Sequence, residues 1–398
     1  MKDVILYGAF DRHNYGDLLF PIIMKRLIEN SDTNINVMVS GMVESDLLDY
    51  GALKTESIKD CLNKSGSDAV IILAGGDVIS CDWFSAISYL IPDKLEYFFE
   101  RVIFRFFSKP LLNVAKKYVG VHSYFPFQPD KRELIGSRSV IYNSVGATGV
   151  SGVSGDAISE LTSTLGMASY ISVRDTFSRD SVKDVCDLDV EMSPDSATMM
   201  GEVFSVDEVC SRTSKDVNDL ITKLDNGFII FQISNAHARV YGNEFSSAIS
   251  DLYKKIGLPI VFIAIGNAAG HRDIDGIRRI TQELSPEVEY YTYEEGGVFD
   301  IMNLIRCASC YCGTSLHGLI TSMSFLTPRV GLLPKLRKQV NYMNTWDLPE
   351  MPRGVLPAEL SDSVVKAMSF KEEELQELNR ELTSKYRDTF DKIIKVLG

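Results

Sequence analysis

The sequence predicts an α/β fold of two parallel sheets facing one another across a cleft, and three observations predict it. Its short apolar runs are continuous rather than alternating, as in strands covered on both faces, and helix-period segments separate them. At 398 residues the chain exceeds the ~100–200 residues expected of one domain. A polar stretch from Asp207 to Asn226 breaks the alternation and divides it into two series.

The first series opens with Val4 to Ala9, an apolar run that includes Gly8. The polar turn His13-Asn14-Tyr15-Gly16-Asp17 follows, then helical spacing from Leu18 to Glu29. Ile35 to Val39 and Ala69 to Ala74 are the next strands, the latter stopped by Gly75-Gly76-Asp77. Trp83 to Phe107 is rich in aromatic residues and broken by Pro92 and scattered charges. It reads as a helical insertion on its own domain, or alternatively as an amphipathic surface at the inner membrane face or under a lipid-linked acceptor. Ser139 to Val145 and Tyr170 to Val173 are further strands, and Pro194-Asp195-Ser196-Ala197 follows another short one.

The second series places strands at Phe228 to Ile233, Pro259 to Ile265, Val288 to Tyr293, near Cys310, and at Thr327 to Leu332. Helices over Phe245 to Lys255, Ile274 to Leu284, Val298 to Arg306 and His317 to Phe325 separate them. The domains are therefore drawn at 1–205, with the insertion at about 80–135, and at 225–369. A helix over 370–398, charged in its first half, is expected along the outside.

Ligands of such sheets sit beyond the carboxyl ends of the strands. The most informative stretch there is Gly313-Thr314-Ser315-Leu316-His317, a strand-to-helix turn that predicts free N–H groups at a helix start, which attract phosphate or carboxylate. His317 is the side chain in that turn able to exchange a proton near neutral pH. Packing of its ring with both nitrogens satisfied is the structural alternative. Arg174 ends a strand and could clamp an anion bidentately, or sit in a buried ion pair with Asp175 or Asp195. Gly75 and Gly76 admit close approach of a ligand or form a plain tight turn. His13 reads equally as an exposed turn residue, and Asp17 as a helix cap. His122, His237 and His271 fall in polar loops.

Composition excludes several classes. A net charge of −13 and a pI near 5.0 argue against nucleic acid as a partner. No apolar run reaches the ~18–20 residues of a membrane span. The first residues form a strand without the apolar core of a signal peptide, and the seven cysteines lack regular spacing, which together suggest a reducing cytoplasm. Cys307, Cys310 and Cys312 lack a second zinc-like pair and read as thiols of the core. No carboxylate cluster suggests a metal. P-loop, dinucleotide-binding and nucleophile-elbow motifs are missing too.

Asn-Tyr-Gly-Asp (14–17), Leu-Ala-Gly-Gly-Asp (73–77), Ser-Val-Arg-Asp (172–175), Pro-Asp-Ser-Ala (194–197) and Gly-Thr-Ser-Leu-His-Gly (313–318) occur in that order. In this the chain resembles the polysaccharide pyruvyl transferase family, over most of its length to about residue 335. The resemblance implies two Rossmann-like domains facing a cleft, as in GT-B glycosyltransferases. It also implies transfer of pyruvate from phosphoenolpyruvate, a co-substrate rather than a cofactor, onto two hydroxyls of a sugar or lipid-linked oligosaccharide. His317 matches the family's catalytic histidine and Arg174 one family arginine, with Gly313, Thr314, Ser315 and Leu316 alongside the donor. Protonating the enol carbon would need a general acid of near-neutral pKa. The chain departs from the family at Ser315, where many members carry arginine, so backbone N–H groups, with or without a neighbouring basic residue such as Arg329, Lys335 or Arg337, are expected to compensate. A nucleotide-sugar glycosyltransferase, with a pocket near Gly266-Asn267 and Glu294-Glu295, and a glycan-binding relative with a degenerate donor site are the alternatives.

Overall fold

A computed structural model of the chain describes residues 1–31, 34–88, 90–91, 104–129, 133–134, 136–266 and 272–398. The first sheet contains β1 (Lys2–Tyr7), β2 (Ile35–Gly41), β3 (Glu56–Ser57), β4 (Val70–Leu73), β5 (Ser139–Val145), β6 (Tyr170–Val173) and β7 (Glu191–Met192), in the order β3-β2-β1-β4-β5-β6-β7. The second contains β8 (Ile229–Gln232), β9 (Ile260–Ile263), β10 (Tyr290–Tyr293), β11 (Cys310–Gly313) and β12 (Arg329–Gly331), in the order β10-β9-β8-β11-β12. All pairings within both sheets are parallel. The two-residue β3 carries no apolar run and was not anticipated.

This order fixes where a ligand can go. The chain leaves β1 in one direction and β4 in the other, and does the same at β8 and β11. Neighbouring loops diverge at such switch points and open a crevice. The loops after β1, β4, β8 and β11 surround one cleft of about 680 Å³ between the lobes.

Around that crevice the lobes are packed, not merely adjacent. Helix Tyr15–Asn30 sends Tyr15, Leu18, Leu19, Ile22 and Ile23 into the core of the second lobe. Phe20 and Met24, on its other face, belong to the first lobe's core. The Tyr15 N–H donates to the Ile265 carbonyl at 3.1 Å, and its hydroxyl lies 2.8 Å from Thr321 Oγ1.

The segment 207–226, read as the boundary between the two series, holds helices Val206–Arg212 and Lys215–Lys223, capped by Ser205 and Ser214. Val209, Val217 and Leu224 bury the apolar side of this segment in the second core. The last helix, Glu372–Leu397, does not lie on the outside of one lobe. Leu375, Leu378, Leu382 and Tyr386 enter the second core, and Ile393 and Leu397 the first. Their helical spacing gives one stripe long enough to strap both lobes, while the charges face water. Asn143 on β5 donates to the Tyr386 hydroxyl at 2.9 Å along this strap.

Of the aromatic insertion, helices Trp83–Ser88 and Phe104–Val119 are described and residues 92–103 lie outside the described residues. Trp83 is buried, its indole N–H donating to the Ser123 carbonyl at 3.0 Å. Among the described residues no helix is long and apolar enough to cross a membrane.

Candidate active site

β11 ends at Gly313, and Ser315 caps helix Leu316–Ser324 by accepting the Gly318 N–H at 3.3 Å. The cap places His317 in the first turn, aimed at the opposite lobe. Its ring lies edge-on to Phe20, with centroids 5.1 Å apart. A Cβ on Gly16 would fall 1.9 Å from His317 Nδ1, so the Asn-Tyr-Gly-Asp turn needs glycine where the imidazole rests. Nε2 has no hydrogen-bond partner and lies 3.8 Å from Asp195 Oδ2. The side chain is 14 % exposed. Burial first, and then the charges of Arg174 and Lys338, push its pKa down to about 3. The near-neutral acid expected from the sequence is therefore not what the free site holds; the imidazole is neutral at pH 7.

The helix start differs from expectation as well. Gln232, at the end of β8, accepts the N–H groups of Thr314 and Ser315 through Oε1, each at 2.9 Å. Its amide nitrogen donates to Asp273 Oδ2 at 2.8 Å. Leu316 and His317 are the first-turn N–H groups that neither Gln232 nor the Ser315 cap consumes. A glutamine in an apolar strand gave no signal of this.

Arg174 follows β6 and is 2 % exposed. Its Nε and Nη2 have no acceptor. The Asp175 carboxylate is 3.7 Å from Nε, but caps helix Thr176–Cys186 by accepting the Ser178 N–H at 2.7 Å. The guanidinium lies against Gly146, where a Cβ would come within 2.7 Å of Nη2. Arg174 therefore stands in no hydrogen-bonded ion pair. Such a group is held at a cost unless something anionic joins it.

Lys338 supplies the second cation and was missed in the sequence, where no motif surrounds it. Its Nζ lies 3.0 Å from Asp77 Oδ2. Burial raises the Asp77 pKa, but Lys338 and Arg174 outweigh it and leave the group at about 2. Gly75 and Gly76 build the turn that presents Asp77, with φ of +140° and +87°, a region that favours glycine. In the same lobe, next to Gly76, burial pushes Asp17 up to about 6 against the pull of Arg12 and Lys338.

Of the other expected residues, Asn14, Asp17, Gly76, Asp77, Thr314, Ser315 and Leu316 line the cleft. His13 does not: its ring stacks on Tyr50 at 3.9 Å and Nε2 meets the Gly296 carbonyl at 3.1 Å, which makes it a lobe-to-lobe tie rather than an exposed turn residue. Tyr15 is buried behind the site, Gly75 packs on Phe20, and Gly313 packs on the Tyr311 hydroxyl. Asn14, not Asp17, is the helix cap. Arg329 is excluded as the replacement cation: it is 0 % exposed and fully engaged with Asp347. Lys335 and Arg337 do line the cleft. His237 is not in a loop but in the first turn of helix Asn235–Ile256, also lining the cleft, with Nδ1 2.6 Å from Ser234 Oγ. Asn267 and His271 lie outside the described residues. Glu294 pairs with Arg278 at 3.2 Å. Among the described residues no three His, Cys, Asp or Glu side chains converge as metal ligands.

No curated protein matches this sequence. Among solved structures, the UDP-GlcNAc 2-epimerase from Neisseria meningitidis bound to UDP-GlcNAc is similar at 11 % identity and a TM-score of 0.55, covering 99 % of this chain and 100 % of that one. Anabaena Alr3699/HepE in complex with UDP-glucose is similar at 10 % identity and a TM-score of 0.56, again over 99 % of this chain and 100 % of that one. At such identities the likeness is one of fold, a GT-B-like pair of parallel α/β domains. The model of the polysaccharide pyruvyl transferase family matches residues 14–335, from the Asn14 cap to the basic loop after β12, and the chain belongs to that family.

Proposed function

We propose that the protein transfers pyruvate from phosphoenolpyruvate onto two hydroxyls of a surface-glycan sugar or its lipid-linked precursor, forming a cyclic ketal and releasing phosphate. The observation that carries this reading is a buried guanidinium with two nitrogen atoms lacking hydrogen-bond acceptors, which with Lys338 bears on His317 in a cleft shared by both lobes. A small donor bearing a phosphate and a carboxylate would satisfy it. Arg174 and Lys338 bind the donor from the two sides, and the N–H groups of Leu316 and His317 face it from the helix start. No metal enters this scheme.

Donor binding also resolves the neutrality of His317. Part of what suppresses its protonation is the charge of Arg174 and Lys338. A bound anion offsets that charge, so the imidazole gains a proton when there is an enol to receive it. His317 protonates the methylene carbon and the adjacent carbon becomes electrophilic. A sugar hydroxyl adds there and gives up its proton, for which Asp17 is the cleft carboxylate of suitable basicity. The second hydroxyl displaces phosphate, which takes the remaining proton. Phosphoenolpyruvate is a cytoplasmic metabolite, and the reaction is assigned to that compartment.

Incubation with phosphoenolpyruvate and a panel of galactosyl, glucosyl and N-acetylmannosaminyl acceptors should release phosphate. His317→Gln should lower release by about 10²–10⁴-fold with the fold retained. Unchanged turnover in that variant would remove His317 from the chemistry. The nucleotide-sugar reading has one observation in its favour: the cleft extends past the donor seat to Ser234, His237 and Gly266, and both structural neighbours named above hold UDP-sugars. Thermal stabilisation by UDP, GDP or CMP but not by phosphoenolpyruvate would select it instead.

A further inference from the structure

Among the buried side-chain atoms without a hydrogen-bond partner are His317 Nε2, Asp195 Oδ2, and Nε and Nη2 of Arg174. Asp195 is 0 % exposed, and its other oxygen caps the turn Ser196–Met199 by accepting the Ala197 N–H at 3.0 Å. The cap fixes the carboxyl and leaves Oδ2 facing Nε2 at 3.8 Å. A buried acceptor facing a buried ring nitrogen makes sense when one proton lies between them.

We propose that Asp195 is a positioning residue that shares one proton with His317, storing it in the free enzyme and ceding it when the donor binds. In the free enzyme, once pH is low enough for the pair to take up its proton, that proton is on Asp195 Oδ2. When the anionic donor sits between Arg174 and Lys338, the Oδ2–H bond breaks and an Nε2–H bond forms. This leaves an imidazolium beside a carboxylate that faces Arg174. No oxidant or co-reactant is needed. The assignment rests on the pyruvyl-transfer reading for its purpose but on geometry for its existence.

Groups facing this pair come from every packed element. Arg174 and Asp175 approach from the end of β6, Tyr342 from helix Arg337–Trp346, and Tyr386 from the last helix; Asp17 lies in the turn that also holds Gly16. Tyr342 accepts the Asp195 backbone N–H at 3.2 Å. The tyrosines are held neutral by burial, and Lys338 acts on the histidine side. Burial pushes Asp195 up to about 6 while Arg174 lowers it, so in the free enzyme the pair takes its proton as pH falls through that value, and takes it on the carboxyl.

Two measurements test this. In the unmodified protein without donor, the His317 resonance from ¹⁵N-histidine labelling, assigned by His317→Gln, should step near pH 6 while the ring remains neutral. A shift flat from pH 5 to 8 overturns the proposal. In turnover, kcat/KM should fall about tenfold per pH unit above the pair's pKa. Asp195→Asn, which can keep the Ala197 cap, should remove that limb and lower kcat about 10²-fold with donor Kd unchanged. A variant that keeps the wild-type limb also overturns it. If Asp195→Asn fails to fold, the resonance in the unmodified protein still decides. If phosphoenolpyruvate is never consumed, the functional reading fails while the resonance continues to test the pair.

Discussion

Arg174 and Arg329 are buried to the same degree, 2 % and 0 % exposed, yet they are opposites in what they touch. Arg329 donates to both oxygens of Asp347, at 3.0 and 2.5 Å, and to the Thr327 carbonyl at 3.3 Å. Arg174 has no hydrogen-bond acceptor for Nε or Nη2, the nearest carboxylate oxygen, Asp175 Oδ2, lying 3.7 Å from Nε. Burial alone does not distinguish a structural arginine from a functional one; hydrogen-bond satisfaction does. One guanidinium closes a fold, and the other waits beside a cleft.

The sharpest way to break this comparison is to truncate both. Arg174→Ala should lower phosphate release by about 10²–10³-fold, the loss expected for a preorganised donor to the transition state. Its melting temperature should hold or rise, because an incompletely paired buried charge has gone. Arg329→Ala should leave Asp347 buried without its cation and cost about 3–5 kcal/mol of stability. The fraction that folds should bind phosphoenolpyruvate as the parent does. Should Arg174→Ala unfold and Arg329→Ala merely lose activity, the two roles have been assigned the wrong way round.

A smaller effect tests whether the helix start competes with Arg174 as the anion seat. Gln232→Ala strips the acceptor from the Thr314 and Ser315 N–H groups and the donor from Asp273. Thr314 keeps the Gln232 backbone carbonyl at 3.3 Å and Asp273 keeps the Ile265 and Gly266 N–H groups, each at 3.1 Å, so the loss should cost about 1 kcal/mol. Donor Kd, by calorimetry, should change by less than about threefold if the anion sits on Arg174 and Lys338. A tenfold gain would mean that the released N–H groups take it instead.

The contrast also explains what the sequence could and could not reveal. Strands buried on both faces must be apolar throughout, so β1, β4, β5, β6 and β8 were legible as runs. The turns after them were legible because glycine and capping residues are required there. Arg174 and His317 could be singled out since each follows such a strand. Which arginine has a partner was not legible: Asp347 lies 18 residues beyond Arg329, just past the end of helix Arg337–Trp346, and only the packing of that helix joins them. Lys338 was missed for the same reason, because its proximity to Asp77 crosses the two lobes. The strap formed by the last helix was hidden by its charges, which outnumber the stripe that matters.

Lys338 lies between the two arginine types, and the smallest prediction concerns it. Its side chain is 57 % exposed and Asp77 only 14 %, so the pair is half in water and screened. Asp77 has a folded pKa of about 2, below its ordinary value. Its contribution is therefore present above the unfolded value near 3.8 and fades as pH falls toward 2. Lys338→Met should remove much of that contribution, which after allowance for solvent is under about 1 kcal/mol at pH 7. The difference in melting temperature from the parent should shrink as pH is lowered from 5 to 2.5. The same change relieves His317 of one of the charges that suppress its protonation, so the falling limb of kcat, which reports the donor-bound complex, should move to higher pH even as donor Kd weakens about tenfold. A cation present only for stability would move the melting curves and leave the pH limb where it was.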